Sequence, residues 1–447
     1  MGVLFLIAIR NLVQARRRTA LLSGAIGLVT ALLVLLLAMS QGIADNLVRS
    51  ATTLSAGHVV VAGFYKPSPS QAIPLVTDAA KVRKVLEEST PDLDFIIARG
   101  RGWGKFVGPG GTVQSGFGGV TIADEPRFVS TLQLAMQSEY KDGGKEEILG
   151  DASRIAEPGA AILFVNQAKR LEVDVGEAIT FVTETNDGRT NTIDLTVVAI
   201  ARDMGMLSSW AVLGNMDSLR TVYKLNDDTT GAFWVYLKDI DRADEVMNSL
   251  RVSLAQAGFQ LMDHQGDPFF FKFEEVGGED WTGQKLDLTI WRDEVSFLVR
   301  ILDVFNVVSV FVASVLLVIV AIGIINTMFN IVRERTREIG TMRAIGIHRR
   351  RVLMLFLIEA TMLGLFATTV GALVGAAGAL GIDAAEIPAP IEAMKMILLA
   401  DTIPMAVDPV TLALVVVVLT AVTALAALWP AALAARLRPI VALGHTA

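Results

Sequence analysis

The sequence predicts an integral membrane α-helical protein that has four transmembrane helices and a large extracytoplasmic α+β domain between the first and second of them. Its 447 residues are 52% hydrophobic with a mean hydropathy of +0.52, which is too apolar for an ordinary soluble protein. Four apolar runs each reach the roughly 20 residues that span a bilayer. Arginine clusters flank these runs on one side only, which gives the chain an orientation.

The four apolar runs divide the chain into nine segments. Transmembrane helices are predicted at 19–43, 304–329, 352–382 and 409–433. The extracytoplasmic domain is predicted at 44–303. The remaining segments are a cytoplasmic interfacial helix at 1–18, a cytoplasmic loop at 330–351, a short periplasmic loop at 383–408 and a cytoplasmic tail at 434–447.

The flanking charges orient the spans, because Lys and Arg in short loops mark the cytoplasm. Thirteen arginines lie at the ends predicted to be cytoplasmic: Arg10, Arg16, Arg17, Arg18, Arg333, Arg335, Arg337, Arg343, Arg349, Arg350, Arg351, Arg436 and Arg438. We therefore expect both termini in the cytoplasm. A secretory signal peptide is the rival interpretation of the first forty residues, but their apolar run is too long and no small-residue cleavage site follows.

Composition excludes several classes of site. The net charge of −7 argues against a nucleic-acid partner, which needs clustered cations away from the membrane. The chain has no cysteine, so it can form no disulfide and no thiolate metal site. Its four histidines lie far apart without HExxH spacing, and we expect no metal site.

The segment between the first two spans is acidic, with 25 Lys and Arg against 38 Asp and Glu. Period-two and helical patterns alternate along it, which favours an α+β fold. Its sequence EAITFVTETNDGRTNTIDLTVVAIA predicts a hairpin that turns at Asn186, Asp187 and Gly188. Strands are predicted at 58–61, 161–164, 179–183, 193–201 and 233–237, and helices at 79–88, 166–171, 216–223 and 243–257.

Two places in this domain invite a functional interpretation. The segment GRGWGKFVGPGGTVQSGFGG at 100–119 suggests a phosphate cradle, but it lacks a phosphate-loop motif, and a mobile loop or kinked strand pair fits it better. The second place is DPFFFKF at 267–273 with a nearby tryptophan. We expect this segment either to contact a lipidic or protein partner or to pack in the core. The candidate contact residues are Phe269, Phe270, Phe271 and Trp281.

Carboxylates are plentiful in the domain, but they form no recognisable catalytic set. The serines and histidines occur without a GxSxG elbow. We therefore predict no catalytic residue.

The most specific segment is NTMFNIVRERTREIGTMRAIGIHRRRVLMLFLIE, residues 326–359. The second membrane helix should continue beyond the bilayer here. Pairs at i,i+3 spacing, Glu334 with Arg337 and Arg335 with Glu338, would support its exposed turns. A basic loop that only fixes topology and binds anionic headgroups is the simpler alternative.

Glycines and isoleucines in this loop go beyond what topology needs. Gly340 would permit close approach of another surface, and Gly346 would end the helix in the left-handed conformation. Ile339, Met342 and Ile345 give a short apolar stripe on a basic element outside the membrane. Such an element is expected to bind a partner.

At these residues the sequence resembles the FtsX/MacB-type family of ABC transporter permeases. The signature resembles the ERTREIG-TM-RAIG run from Glu334 to Gly346, and the likeness extends over the layout of one span, a large external domain and three spans. Further matching positions are Phe356, Glu359, Pro430, Ala431, Ala434, Pro439 and Leu443.

The resemblance implies a permease that carries a coupling helix and has no ATPase site of its own. Two copies of a cytoplasmic ABC ATPase would bind a pair of permease chains, either a homodimer or a heterodimer, and ATP with Mg would bind on the ATPase. Glu359 would pair with an arginine of the loop. The implied ATPase-coupling residues are Glu334, Arg335, Arg337, Glu338, Ile339, Gly340, Arg343, Ala344 and Gly346.

Residues 57–61 and 157–182 resemble the external domain of the lipoprotein-releasing branch. That likeness implies ATP-driven lipoprotein release from a bacterial inner membrane by mechanotransmission, with membrane lipids and a periplasmic carrier or adaptor as further partners. Members with a fused ATPase carry it before the first span, and cell-division members have a shorter external domain. The alternatives are a signal relay that activates a cell-wall hydrolase and a membrane-anchored periplasmic enzyme.

Overall fold

The computed structural model describes residues 2–14, 16–52, 56–125, 127–185, 188–391, 394, 398, 400 and 402–436. The chain divides into two compact units. The membrane unit comprises Met1–Asp45, Leu302–Pro388 and Thr402–Ala447, and the external unit comprises Asn46–Ile301 and Ala389–Asp401. This division places a sheet-rich unit between the first two apolar helices, which confirms the predicted fold class.

Both units contain helices. In chain order these are α1 (Gly2–Gln14), α2 (Arg16–Ser50), α3 (Ala79–Ser89), α4 (Phe128–Thr131), α5 (Gln137–Tyr140), α6 (Val165–Leu171), α7 (Met216–Tyr223), α8 (Ala243–Gln256), α9 (Phe273–Gly278), α10 (Trp291–Glu294), α11 (Ser296–Glu334), α12 (Thr336–Ala344), α13 (Arg349–Ala384) and α14 (Pro409–Arg436).

The strands belong to the external unit. They are β1 (Val59–Ser68), β2 (Gln71–Ile73), β3 (Val76–Thr77), β4 (Leu93–Gly108), β5 (Gly111–Val120), β6 (Ala160–Phe164), β7 (Ala178–Glu184), β8 (Thr190–Ala201), β9 (Ala211–Asn215), β10 (Thr229–Thr230), β11 (Ala232–Leu237) and β12 (Gly283–Ile290).

Four helices within the described ranges are long and apolar enough to cross a bilayer. They are the segment Thr19–Ser50 of α2 and the helices α11, α13 and α14. Each extends beyond the predicted span, because the backbone hydrogen bonding of a helix continues after its apolar run ends.

Small residues bring α2 and α13 into close contact. A Cβ placed on Gly371 would lie 2.3 Å from the carbonyl oxygen of Gly27, and one on Gly375 would lie 2.8 Å from that of Ala31. The spacing of Gly371 and Gly375 is the small-xxx-small pattern that allows helix backbones to approach closely in lipid. Larger side chains at these positions would force the two helices apart.

The external unit is built on a ten-stranded sheet with the order β12-β1-β11-β4-β5-β9-β6-β8-β7, in which β2 also pairs with β1 and β4 also pairs with β7. β3 and β10 form a separate pair. One hydrophobic core lies between β1, β11 and β12 and the helices α3 and α8. A second core joins β5 to β9 with α6 and α7. The long strand β4 passes from one core to the other.

The structure confirms the strands and helices predicted in this unit. α7 has the predicted bounds, and β7 and β8 form the predicted hairpin with Phe181 opposite Ile193. Gly188 has a φ of +73°, as a turn glycine should. Asn186 and Asp187 lie outside the described residues. β1 is longer than predicted, and β2, β3, β9, β10 and β12 were not predicted.

Candidate functional site

A short connector, residues 333–347, joins α11 to α13 in the membrane unit. α11 ends at Glu334, Arg335 has the non-helical angles φ −100° and ψ 16°, and α12 begins at Thr336. The Arg335 guanidinium lies 3.3 Å from the carboxylate of Glu359 on α13. Because Glu359 is only 2% exposed, this ion pair joins the start of α12 to the next membrane helix.

The end of α12 is fixed by its own backbone. Gly346 has a φ of +97°. Its N–H donates to the carbonyl of Arg343 at 3.2 Å, and the N–H of Ile347 donates to the carbonyl of Met342 at 3.1 Å. These two bonds are the Schellman pattern, in which a left-handed glycine satisfies the last carbonyls of a helix. Gly346 therefore ends the helix as predicted.

One side of α12 is buried against the helix bundle. Ile339 is fully buried, and Gly340 is buried beside it. Ile339 belongs to a cluster of apolar side chains from α2, α11, α13 and α14, which includes Ile26, Ile331, Val332, Val352, Phe356, Ala431 and Ala434. The connector is thus part of the hydrophobic core of this unit.

This burial corrects the predicted apolar stripe. Ile339, Met342 and Ile345 were expected to face a partner together, but Ile339 is inside, Met342 is half-buried and only Ile345 is 78% exposed. Gly340 is buried as well. The reason is that a nine-residue helix lying on a bundle buries the apolar residues on its inner side first.

The other predicted coupling residues lie on both sides of α12. Arg335 and Arg343 are half-buried, and the Arg343 guanidinium donates to the carbonyl of Ile347 at 3.1 Å. The exposed positions of the connector are Arg333, Glu334, Arg337, Glu338, Thr341, Ala344, Ile345 and Gly346. We call these positions the outer face. It combines both signs of charge with one large apolar side chain.

The structure separates the four predicted contact residues of the external unit. Phe269 is fully buried, and its ring stacks on Phe64 with a centroid distance of 4.4 Å. Phe270 and Phe271 are 49% and 66% exposed. Trp281 is half-buried near the ammonium groups of two lysines. Only Phe270 and Phe271 therefore present apolar surface together.

The glycine-rich segment at 100–119 is an antiparallel strand pair. β4 and β5 pair from Gly100 opposite Gly119 to Gly108 opposite Gly111. The strand-pair interpretation is confirmed, and the alternative of a mobile loop is wrong. The glycines on one face allow tight packing: a Cβ on Gly102 would lie 2.7 Å from the ring of Tyr223.

Comparison with known proteins bears on the membrane unit first. Residues 310–439 match the family model described as "FtsX-like permease C-terminal". Residues 310–439 are an FtsX-like permease domain. The family resemblance predicted from the 334–346 segment is confirmed, because the match includes the connector and the last three membrane helices.

Curated relatives match over part of their length. PvdT of Pseudomonas savastanoi, a pyoverdine export ATP-binding/permease protein, is 37% identical over 132 residues, 30% of this chain and 18% of the relative. The ABC transporter permease YtrF of Bacillus subtilis is 34% identical over 108 residues, 24% of this chain and 25% of the relative. MacB of Campylobacter jejuni, a macrolide export ATP-binding/permease protein, is 43% identical over 70 residues, 16% of this chain and 10% of the relative. The chain thus spans a quarter or less of the length of these relatives.

Two solved structures resemble the chain only distantly. The extracellular domain of YknZ from Gram-positive bacteria covers 51% of this chain and 98% of its own, with 11% identity and a TM-score of 0.30. The periplasmic region of MacB from Actinobacillus actinomycetemcomitans covers 56% of this chain and 95% of its own, with 10% identity and a TM-score of 0.31. The likeness to the lipoprotein-releasing branch stays a prediction.

Proposed function

We propose that this chain is the permease subunit of an ABC transporter and that the outer face of the connector binds a cytoplasmic ABC ATPase subunit. ATP with Mg binds on that ATPase. The observation that carries the proposal is the construction of the connector. It is anchored by the Arg335–Glu359 ion pair and by the buried Ile339, while Ala344 and Ile345 remain exposed.

A rigid connector suits force transfer. A partner that moves the outer face would move α11 and α13 with it, because α12 is joined to both by short turns and to α13 by the ion pair. α11 continues in sequence into the external unit, where it begins at Ser296. In this mechanotransmission, ATP-driven motion reaches the external unit through helices, and substrate need not cross the bilayer.

The arginine distribution supports the orientation that this mechanism needs. The connector and both termini lie in the cytoplasm and the external unit lies in the periplasm, with the chain spanning the inner membrane several times. Two ATPase copies and a second permease copy complete the assembly. A periplasmic carrier or adaptor would receive the cargo.

The proposed class of transported substrate rests on the small number of charged side chains in the membrane helices. Charged side chains are few in the four apolar helices, whereas a pathway for a charged substrate would need more of them. We propose that the complex extracts or exports lipoproteins or other apolar substrates from the outer leaflet. The alternative function, a relay that activates a periplasmic hydrolase, would use the same ATP-driven motion. Its periplasmic ligand would be a protein rather than an apolar molecule.

The test is co-purification of the tagged full chain with an identified ABC ATPase, compared with an Ile345→Glu variant. Placing a carboxylate at the one large apolar side chain of the outer face should reduce ATPase recovery about tenfold, as expected for loss of a central interface contact. The arginines that fix topology are unchanged in this variant. Mass spectrometry of the same samples for lipidated species tests the cargo class.

Val252→Glu is the matched control, because Val252 is 57% exposed on α8 of the external unit. It makes the same change from an apolar to an acidic side chain away from the connector. It should leave ATPase recovery unchanged. If the Ile345 and Val252 variants recover equal amounts of ATPase, or if no ATPase accompanies the native chain, the docking proposal fails.

A further inference from the structure

A pocket in the external unit lies beside the rings of Trp103, Trp210 and Phe271. Its volume is about 330 Å³, which lies within the range of roughly 300–1,000 Å³ typical of small-molecule sites. The three rings are 49%, 47% and 66% exposed. The buried rings of Phe117 and Trp234 also line it, as do Phe270 and Phe297. Such a cluster of exposed rings on a folded domain indicates a binding surface.

The alternation of residues along β4 creates this pocket. Arg99, Arg101 and Trp103 lie two residues apart and so share one face of the strand. On the neighbouring strand β5, Gly118 lies opposite Arg101 and Gly116 lies opposite Trp103. Directly opposed residues project to the same face of a sheet. A Cβ on Gly116 would lie 2.9 Å from the carbonyl oxygen of Trp210, and one on Gly118 would lie 3.2 Å from a methyl group of Leu213. The two glycines therefore let these two pocket-lining residues pack close to the strand pair.

Arg101 is a half-buried cation without a partner in the described part of the chain. Its Nη1 is buried, and no described residue accepts a hydrogen bond from it. Its guanidinium instead lies over the rings of Phe269 and Phe270, with centroid distances of 4.4 Å and 5.7 Å. Aromatic faces stabilise a cation without accepting its N–H groups, and Arg101 lines the pocket and is not fully enclosed.

The two carboxylates whose charges act on Arg101, those of Glu294 and Asp287, already accept hydrogen bonds from other residues. Glu294 accepts from the hydroxyl of Thr289 at 2.7 Å, and Asp287 accepts from the ammonium of Lys272 at 2.8 Å. Burial raises the pKa of Glu294, and the charge of Arg101 partly offsets that effect. A raised pKa makes protonation of this carboxyl group easier as the pH falls.

Further donors without acceptors lie along the same wall. Arg99 is 4% exposed, and its Nη2 donates to Glu125 at 2.7 Å. Its Nε and Nη1, and the indole Nε1 of Trp234, are buried without a hydrogen-bond acceptor among the described residues. Unsatisfied buried donors are rare in folded proteins and call for an explanation such as a bound acceptor. Arg99, Arg101 and Trp234 all line the same aromatic pocket.

We propose that this pocket binds an amphipathic anion, with its apolar body against the aromatic rings and its anionic group on Arg101. The ring cluster recognises the apolar body, and the unpaired guanidinium recognises a carboxylate, sulfonate or phosphate. The site belongs to the external unit alone. It requires no ATPase, so its failure and the failure of the docking proposal are separate results.

The test uses the full chain in phosphatidylcholine nanodiscs, with empty nanodiscs as the blank. Two fluorescent probes share one aromatic body: anilinonaphthalene sulfonate is anionic and N-phenylnaphthylamine is neutral. Arg101→Gln should weaken binding of the anionic probe about tenfold and change binding of the neutral probe less than twofold. Phe271→Ala removes an exposed ring that the fold does not need, and it should weaken both probes. Arg154→Gln is the matched control, because Arg154 is exposed and does not line the pocket.

Competition identifies the form of the anion. Dodecanoate should displace the anionic probe, and inorganic phosphate at the same concentration should not. Equal displacement by phosphate would make this a plain anion site and overturn the amphiphile assignment. The proposal is also overturned if Arg101→Gln and Arg154→Gln have the same effect on the anionic probe, or if neither probe binds above the blank.

Discussion

Two half-buried arginines, one in each unit, differ in what surrounds them. Arg335 of the membrane unit reaches the buried carboxylate of Glu359 at 3.3 Å. Arg101 of the external unit lies on two phenylalanine rings, and no described residue accepts a hydrogen bond from its buried Nη1. The first arrangement holds a structural element in place. The second leaves a cation available to a ligand, and this contrast separates the proposed docking element from the proposed ligand pocket.

The largest effect on stability should come from breaking the ion pair between Arg335 and Glu359. Glu359→Ala leaves the half-buried Arg335 guanidinium without this partner, and removing one member of a buried ion pair costs about 3–5 kcal/mol. We expect a lower unfolding temperature of the full chain in detergent and loss of ATPase recovery. An unchanged unfolding temperature would show that the pair does not hold the connector.

A somewhat smaller loss is expected for Arg99→Met in the external unit. Arg99 pairs with Glu125, and both side chains are almost completely buried. Removing the arginine leaves a buried carboxylate, but that group can take up a proton, which limits the cost to about 2 kcal/mol. Thermal unfolding measures the loss, and the double variant Arg99→Met/Glu125→Leu should recover most of it.

The destabilisation caused by Arg99→Met should depend on pH. Burial raises the pKa of Glu125 above its usual value of 4.5, and the Arg99 charge and hydrogen bond act against this rise. Without Arg99 the folded-state pKa rises further, so the folded form binds a proton at a pH where the unfolded chain does not. The destabilisation by Arg99→Met should therefore shrink as the pH falls from 8 towards 5. A loss of equal size at both pH values would contradict a buried ionised Glu125.

The helix cap at Gly346 should contribute about 1 kcal/mol to the free energy of unfolding. Gly346→Ala places a Cβ on a residue with a φ of +97°, a conformation that costs an L-residue roughly 1–2 kcal/mol. Gly381→Ala is the control, because Gly381 is helical and a Cβ there meets nothing within 4 Å. That change should be neutral or stabilising. Equal unfolding temperatures for the two variants would contradict the role of the cap.

The smallest effect on stability is expected at Arg101. Arg101→Met removes a cation that has no ion-pair partner among the described residues, so the unfolding free energy should change by less than about 1 kcal/mol. The same variant should lose binding of the anionic probe. A large destabilisation would mean that Arg101 has a structural role like that of Arg335, and the contrast between the two arginines would be lost.

Sequence reasoning predicted the parts of the fold that local patterns determine. The apolar runs gave the four membrane helices, and the helical pattern of 216–223 gave the bounds of α7. It did not give the sheet order, because β1 pairs with β11 and β12 across more than 150 residues of chain. Pairing at that separation leaves no local signal.

The sequence located the connector but missed the pocket of the external unit, and long-range packing explains both outcomes. The motif at 334–346 located the connector, but which side of α12 is buried depends on the bundle beneath it. Ile339 was therefore predicted to face a partner with Met342 and Ile345, although it is buried. The pocket was missed, although Arg99, Arg101 and Trp103 alternate with glycines at period two. That signal could be recognised only after the register placed Gly116 and Gly118 opposite them.

The central claim is that the outer face of the connector binds the ATPase, and photo-crosslinking from the full chain in cells tests it most directly. A photoreactive amino acid is placed at Ile345 and, in a separate variant, at Val252 of the external unit. Mass spectrometry then identifies the adducts. We predict an adduct between position 345 and a cytoplasmic ABC ATPase subunit, and no ATPase adduct at position 252. An ATPase adduct at position 252, or its absence at position 345, would contradict the account.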